Sequence, residues 1–232
     1  YGRDLYAQRN LAKLLRRLAE VEGVHWMRLL YAFPAHFSED MIEELATNPK
    51  LCRYLDIPIQ HISDNMLNLM RREVGRKETE ELILRLRDRI PELVLRTSVI
   101  VGFPGETEDD HEQLLEFLDK VKFDRLGAFR YSQEEGTAAF RRDEQVPEDI
   151  KAERLDRVMA LQQKVAFEKA QSMTGRDFDI LIDKKKLDHD DIWEGRSYGE
   201  APEIDGLIYV RGRGLKVGEF VDCQITNADG YD

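Results

Sequence analysis

The sequence predicts an α/β protein: an incomplete parallel (βα) partial TIM barrel followed by a small, OB-like antiparallel β-barrel. Three observations carry that expectation. From residue 1 to about 133, short apolar runs alternate with amphipathic helices of roughly 10–15 residues, the pattern of parallel βαβ units. Only four such runs occur, too few to close a barrel of about eight strands. Beyond Gly175 the helical periodicity gives way to short strands separated by Gly and Asp turns. The expected organisation is the C-terminal part of a partial barrel over 1–145, a connecting helix over 146–175 and a β-domain over 176–232.

Leu5, Leu11, Leu14, Leu15 and Leu18 recur at helical spacing and predict a first helix. WMRLLYAF (Trp26–Phe33) predicts a strand that stops at Pro34. Ser38 stands as an N-cap before Glu39 and Asp40, where the helix dipole favours acids, and that helix runs to Thr47–Pro49. YLDIPIQ (Tyr54–Gln60) is the second strand, followed by a helix from about Ser63 to Arg72. Lys77–Ile90 reads as a helix with Leu82, Ile83, Leu86 and Ile90 on one face. The β-branched run LVLRTSVIVG (Leu93–Gly102) predicts a strand covered on both faces. FPGE then turns the chain, Thr107 and Asp110 form a capping box, and Leu114, Leu118 and Val121 mark the next helix. RLGAFRYS (Arg125–Ser132) is the fourth strand. Pro147 suits the first turn of a long helix and Gly175 its C-terminal stop, with Leu155, Val158, Met159, Gln162, Val165 and Ala166 as an apolar stripe between them. DFDILID, GRSY, GLIYVRG and EFVDCQIT supply the short strands of the last part.

Composition narrows the function classes. With 42% hydrophobic and 35% charged residues, the chain has the texture of a soluble globular protein. No run reaches the roughly 18–20 apolar residues of a membrane span. The N-terminus lacks the apolar stretch of a secretory signal, so the expected location is the cytoplasm. Cys52 and Cys223 are too far apart for a CxxC metal site or a disulfide framework. The net charge of −11 argues against a basic nucleic-acid surface. Residues 176–232 hold 8 Lys/Arg against 14 Asp/Glu, a balance suited to a basic partner or simply to a solvated acidic face.

In parallel α/β folds, ligands sit outside the carboxyl ends of the strands. There the sequence carries Pro34-Ala35-His36, then Pro58, Gln60, His61, Ser63 and Asp64, then Gly102–Glu106, and finally Tyr131–Thr137. Gln60 and His61 are able to hydrogen-bond a ribose or a carboxylate, and equally able to serve the fold. Gly102 and Gly105 permit close backbone approach to a ligand, with Pro104 stiffening the turn. Arg71 and Arg72, at a helix end on the same rim, suit bidentate capture of a carboxylate or plain solvation. The chain contains no G-x-S-x-G elbow, no HExxH and no Walker A motif.

YGRDLY, RLLYAFP, YLDIPIQHISDNMLNLMRR, LRTSVIVGFPGETEDD and FDRLGAFRYSQEEGTAA follow one another as in the barrel of the radical-SAM methylthiotransferases, which the chain resembles along nearly its whole length. VMALQQKVAFEK is similar to that family's connecting helix. GRSYGEAPEIDGLIYV and VGEFVDCQITNADGYD are similar to its TRAM domain. DRLGAFRYSQEEGT and APEIDG resemble the branch that modifies a ribosomal protein more than the branch that modifies tRNA. The resemblance implies methylthiolation of the β-carbon of an aspartate in small-subunit ribosomal protein S-twelve. The implied cofactors are S-adenosylmethionine, two 4Fe–4S clusters in the full-length enzyme, and an electron donor such as flavodoxin or ferredoxin.

By the same resemblance, Gln60 matches a ribose-side contact to S-adenosylmethionine, and Arg72 lies near the cofactor's carboxylate end. Val101, Gly102 and Phe103 match the adenine-side strand end, and Tyr131 and Ser132 the last barrel strand. The family's CxxxCxxC cluster loop is absent from the sequence, and Cys52 and Cys223 match none of its cysteines. No catalytic residue, metal ligand or bound cluster is therefore expected in this chain, which alone should be inactive. The alternatives are a tRNA methylthiotransferase and a cluster-free module that binds the ribosome.

Overall fold

The computed structural model describes residues 10–228 together with Gly2, Asp4 and Ala7. Leu5, most of the YGRDLY motif and the last four residues of the final motif lie outside the described residues. The chain divides into two units, residues 1–162 and 163–232.

The first unit builds four parallel strands in the order β1-β2-β3-β4, with helices between them. Its elements are α1 (Leu11–Ala19), β1 (Met27–Leu29), α2 (Glu39–Thr47), β2 (Leu51–Asp56), α3 (Asp64–Leu69), α4 (Arg76–Arg89), β3 (Val94–Val101), α5 (Glu108–Val121) and β4 (Arg125–Arg130). A long helix, α6 (Glu148–Ser172), starts in this unit and ends in the next. Leu55, Leu95, Val99 and Val101 of the sheet pack with Ile42 and Leu45 of α2, Ile83 and Leu86 of α4, Leu114 and Phe117 of α5, and Val158 of α6. Each such burial contributes about 1.5–3 kcal/mol, and together they fix which face of the sheet the helices cover.

The strands are shorter than expected, for local reasons. β1 ends at Leu29 because Tyr31 takes a left-handed conformation (φ 57°), and its N–H turns to the Asp56 carboxylate at 3.1 Å. β2 starts three residues early and ends at Asp56, since Pro58 has no N–H to give the ladder. The chain stays tied to β3 beyond that point: Ile57 N–H donates to Arg96 O and Gln60 N–H to Ser98 O, at 2.8 and 2.9 Å. β3 matches its expected span, but among the described residues only one face is closed. Thr97 and Val99 are fully buried there, whereas Arg96, Ser98 and Ile100 on the other face are half-buried.

Caps follow the sequence in part. Thr107 and Asp110 form the expected capping box, and the Ser63 side chain accepts from Met66 N–H at the head of α3. Ser38 occupies its N-cap position without a side-chain cap bond; the adjacent Glu39 instead pairs with Arg85 at 2.7 Å.

The second unit is an antiparallel sheet in the order β7-β6-β5-β8, built from β5 (Asp177–Lys185), β6 (Ile192–Arg196), β7 (Ile208–Arg211) and β8 (Phe220–Gln224). Ile180, Ile182 and Val210 form its core, with Phe178, Trp193 and Val221 packed against them. Gly195 lies opposite Ile182, where a Cβ would stand 2.6 Å from the Leu181 carbonyl oxygen, so only glycine lets the strands close. Gly175 is in the left-handed conformation (φ 84°) just beyond α6, as expected of a helix stop. Among the described residues, no helix is long and apolar enough to cross a membrane.

Candidate functional site

Consecutive parallel strands bring three of the expected loops to one end of the sheet. After β2, Gln60 adopts a left-handed backbone (φ 69°) and pairs beside Val99, its carbonyl accepting from Ile100 N–H at 2.8 Å. A non-glycine residue held there is strained, and β3 holds it from both backbone groups. Gln60 as a residue is half-buried. Tyr131 N–H donates to Val101 O at 2.9 Å, extending the β3–β4 ladder to the rim. The rings of Phe103 and Tyr131 meet edge to face with centroids 5.2 Å apart. The Tyr131 hydroxyl is buried and has no hydrogen-bond partner among the described residues. Val101 is fully buried in the helix-side core, which leaves only its backbone at the rim. Ser132 Oγ donates to Glu134 at 2.7 Å on the exposed side.

Arg72 is not a solvated helix-end charge. Its guanidinium donates to Pro58 O at 2.9 Å and lies 4.6 Å over the Phe33 ring, joining the loops after β1 and β2. Burial pulls its pKa down. Arg71 is exposed in a left-handed turn (φ 56°).

Beneath the rim, His61 and Glu106 of the expected loops join in one network with Arg154 and Lys151, which no sequence signal marked. The Glu106 side chain is fully buried. One of its oxygens accepts from His61 Nε2 at 3.1 Å. The other accepts the Gly102 N–H and Arg154 Nη1, the latter at 2.8 Å. Ser63 N–H donates to His61 Nδ1 at 3.1 Å, so the imidazole proton sits on Nε2, facing the carboxylate. Lys151, 4% exposed, donates to Tyr131 O at 3.2 Å and to Glu148 at 2.6 Å. Gly102 is left-handed (φ 72°), and a Cβ on it would lie 2.2 Å from Lys151 Cγ. Nearby, burial alone would raise the Asp110 pKa, yet hydrogen bonds from Ser63, Thr107 and Asn65 hold it below the usual carboxylate range.

Strand alternation places a second charged group on the less covered face of the sheet. Asp56, 1% exposed, pairs with Arg96 at 3.0 Å, and Arg125 stands opposite Arg96 in register. Arg28 lies 5.0 Å over the Tyr54 ring. The signal for this pair was in the sequence: single charges interrupt two apolar runs that become neighbouring strands. A cavity of about 550 Å³ is lined by Pro34 and Ala35 of the loop after β1, together with Phe37, Glu73, Val74, Glu78 and Arg85 among others, and does not include Gln60, Arg72, Gly102, Phe103, Tyr131 or Ser132.

The family model of the radical SAM superfamily matches residues 1–118, just over half the chain. The chain belongs to the radical SAM superfamily. A second model, the TRAM domain, matches residues 174–232. The chain is 46% identical over its whole length to a ribosomal protein uS12 methylthiotransferase RimO of Desulfitobacterium hafniense, covering 52% of that protein. It is 47% identical to the RimO of Phocaeicola vulgatus, covering 54% of it. The chain thus spans about half the length of these curated relatives. Among solved structures, the radical SAM enzyme coproporphyrinogen III oxidase (HemN) from Escherichia coli superposes with a TM-score of 0.53 at 21% identity, covering 67% of this chain and 36% of that one, a likeness of fold.

The iron–sulfur cluster that the radical SAM family implies finds no ligand set in the described residues. Cys52 is buried in β2, and Cys223 lies in the second unit with its thiol pushed up by burial. No three His, Cys, Asp or Glu side chains among the described residues group so as to hold a metal.

The radical SAM unit also buries an imidazole that takes no part in the rim. His111 of α5 is fully buried, and neither ring nitrogen has a partner among the described residues. Burial pushes its pKa down from 6.5 to about 4; Glu106 offsets part of this, and Arg157 and Arg154 add to it. Between these values the unfolded chain binds the proton and the folded chain does not, so stability falls as pH falls. The unfolding temperature should therefore drop between pH 6.5 and pH 4, and His111→Phe should flatten that part of the curve. A slope that is the same in His111→Phe would contradict this assignment.

Proposed function

We propose that this chain supplies the cofactor-side strand ends and the TRAM domain of a radical SAM methylthiotransferase acting on the β-carbon of an aspartate in ribosomal protein uS12. One observation carries the reading: Gln60, Gly102–Phe103 and Tyr131–Ser132 stand at the ends of three neighbouring parallel strands. The identity of 46–47% to proteins named for that reaction supports the same substrate class.

A nucleoside fits the chemistry of this rim. The Gln60 carboxamide is able to hydrogen-bond a ribose, and Arg72 the cofactor's carboxylate. Val101 and Gly102 offer backbone carbonyl oxygens, and Phe103 and Tyr131 an aromatic wall for the adenine, with the unpartnered Tyr131 hydroxyl as a polar handle. Ser132 closes the β4 side. Bound S-adenosylmethionine supplies the radical chemistry and the methyl group, and the clusters and an electron donor such as flavodoxin or ferredoxin complete the enzyme. With Cys52 and Cys223 as its only thiols, the chain alone is expected to be inactive. The reaction belongs in the cytoplasm, where ribosomes are assembled.

The TRAM domain favours a basic protein over tRNA. Asp179 and Asp222 lie directly opposite on β5 and β8, both exposed, with Asp177 beside them. Like charges so placed destabilise a sheet, and an acidic face repels phosphate while attracting a basic partner. The acids after β5 contribute less: Glu194, Asp190 and Asp191 stand 2.9, 3.3 and 4.0 Å from Lys184, Lys185 and Arg211.

Incubating the reconstituted holoenzyme with S-adenosylmethionine, reduced flavodoxin and either uS12 or tRNA tests the reading. Mass spectrometry should find one methylthio group on an aspartate of uS12 and none on tRNA; the reverse would overturn it. Replacing Asp177, Asp179 and Asp222 by Lys should raise KM for uS12 about tenfold at low ionic strength. An unchanged KM would remove the acidic face from substrate docking.

A further inference from the structure

We propose that Lys151 and Arg154, on the first turns of α6, are positioning residues that set the ends of β3 and β4 for the nucleoside half of the cofactor. The inference rests on the reading of the rim as an S-adenosylmethionine site. It adds to that reading two residues on a helix outside the three strand-end loops.

The two residues are three apart and so share one face of the helix. Arg154 donates to both the Glu106 side chain, at 2.8 Å, and the Glu106 backbone carbonyl, at 3.1 Å. Glu106 in turn captures the Gly102 N–H, which fixes the turn that follows β3. Lys151 lays its methylenes where a Gly102 side chain would be, and its ammonium holds the carbonyl of Tyr131 beyond β4. One helix face thus determines two adjacent strand ends.

Fold stability alone does not call for such an arrangement. Lys151 and Arg154 are 4% and 5% exposed, and buried charged pairs contribute little net stability relative to apolar side chains of similar size. In this unit α6 otherwise packs through Leu155, Val158 and Leu161, in or against the core, and through the uncharged Gln162, buried and donating to Phe123 O at 3.1 Å. Arg157, one residue before Val158, makes ordinary partly exposed pairs with Glu108 and Glu112. Charges are buried only where the helix meets the rim. What they give is directional: fixed donors that set the aim of Gly102 and Tyr131.

The test uses the reconstituted holoenzyme carrying Arg154→Met, Arg154→Lys, Lys151→Met or the control Arg157→Met. Equilibrium titration with S-adenosylmethionine should show Kd raised about tenfold or more in Arg154→Met and Lys151→Met, a loss of about 1.4 kcal/mol. KM for the cofactor should rise in parallel, while kcat at saturating cofactor stays within about threefold. Arg154→Lys, which keeps a cation on Glu106, should recover part of the affinity, and Arg157→Met should bind as the wild type does. Unchanged Kd in both methionine variants overturns the proposal, even if their unfolding temperature falls, because a purely structural role moves only the latter. Should Arg154→Met fail to fold, Lys151→Met, which keeps the chain over Gly102, decides alone. A wild-type holoenzyme that does not bind S-adenosylmethionine would instead sink the cofactor reading itself.

Discussion

The fully buried carboxylate of Glu106 holds three parts of the first unit together: the loop after β2 through His61, the end of β3 through Gly102, and α6 through Arg154. Burying an ionised carboxylate without partners costs several kcal/mol or more, so the fold has to supply donors from all three. Once supplied, they leave the rim little freedom. The Nε2–H of His61, the Gly102 N–H and the Arg154 guanidinium all turn to this one side chain.

The same logic separates the two faces of the parallel sheet. Helices cover the face that carries Leu55, Leu95 and Val99, and that burial provides the stability. The other face carries Asp56, Arg96 and Arg125 in one layer, with Ser98 and Gly127 in the next layer toward the rim. A polar layer of this kind adds little to stability. In the second unit, an apolar core around Ile180 and Ile182 likewise backs an exposed acidic face at Asp179 and Asp222. In both units apolar and charged side chains alternate along the same strands.

Much of this was legible in the sequence. Alternating apolar runs and amphipathic helices predicted parallel βα units, and the Thr107–Asp110 box and Gly175 marked helix ends that the structure has. The strand ends carrying Gln60, Gly102 and Tyr131 could be placed on one rim because strand order follows sequence order. What the sequence hid was long-range. Lys151 and Arg154 look like ordinary charges of a long helix until the fold buries them, and Glu106 looks like a turn residue until His61 and Arg154 converge on it. β1 and β2 end four residues short of expectation, at Leu29 and Asp56, where Pro58 and the left-handed Tyr31 and Gln60 interrupt the ladder, effects of single backbone positions that periodicity does not register. Val101 shows the opposite limit: it stands at the end of β3, but alternation turns its side chain into the core.

Amide hydrogen exchange of the holoenzyme with and without S-adenosylmethionine tests the central claim most directly. The account predicts that the cofactor slows exchange at the ends of β2, β3 and β4, in segments 60–63, 102–106 and 131–133, and leaves the TRAM strands unchanged. Protection that avoids these three strand ends, or that falls on β5 to β8 instead, would contradict it.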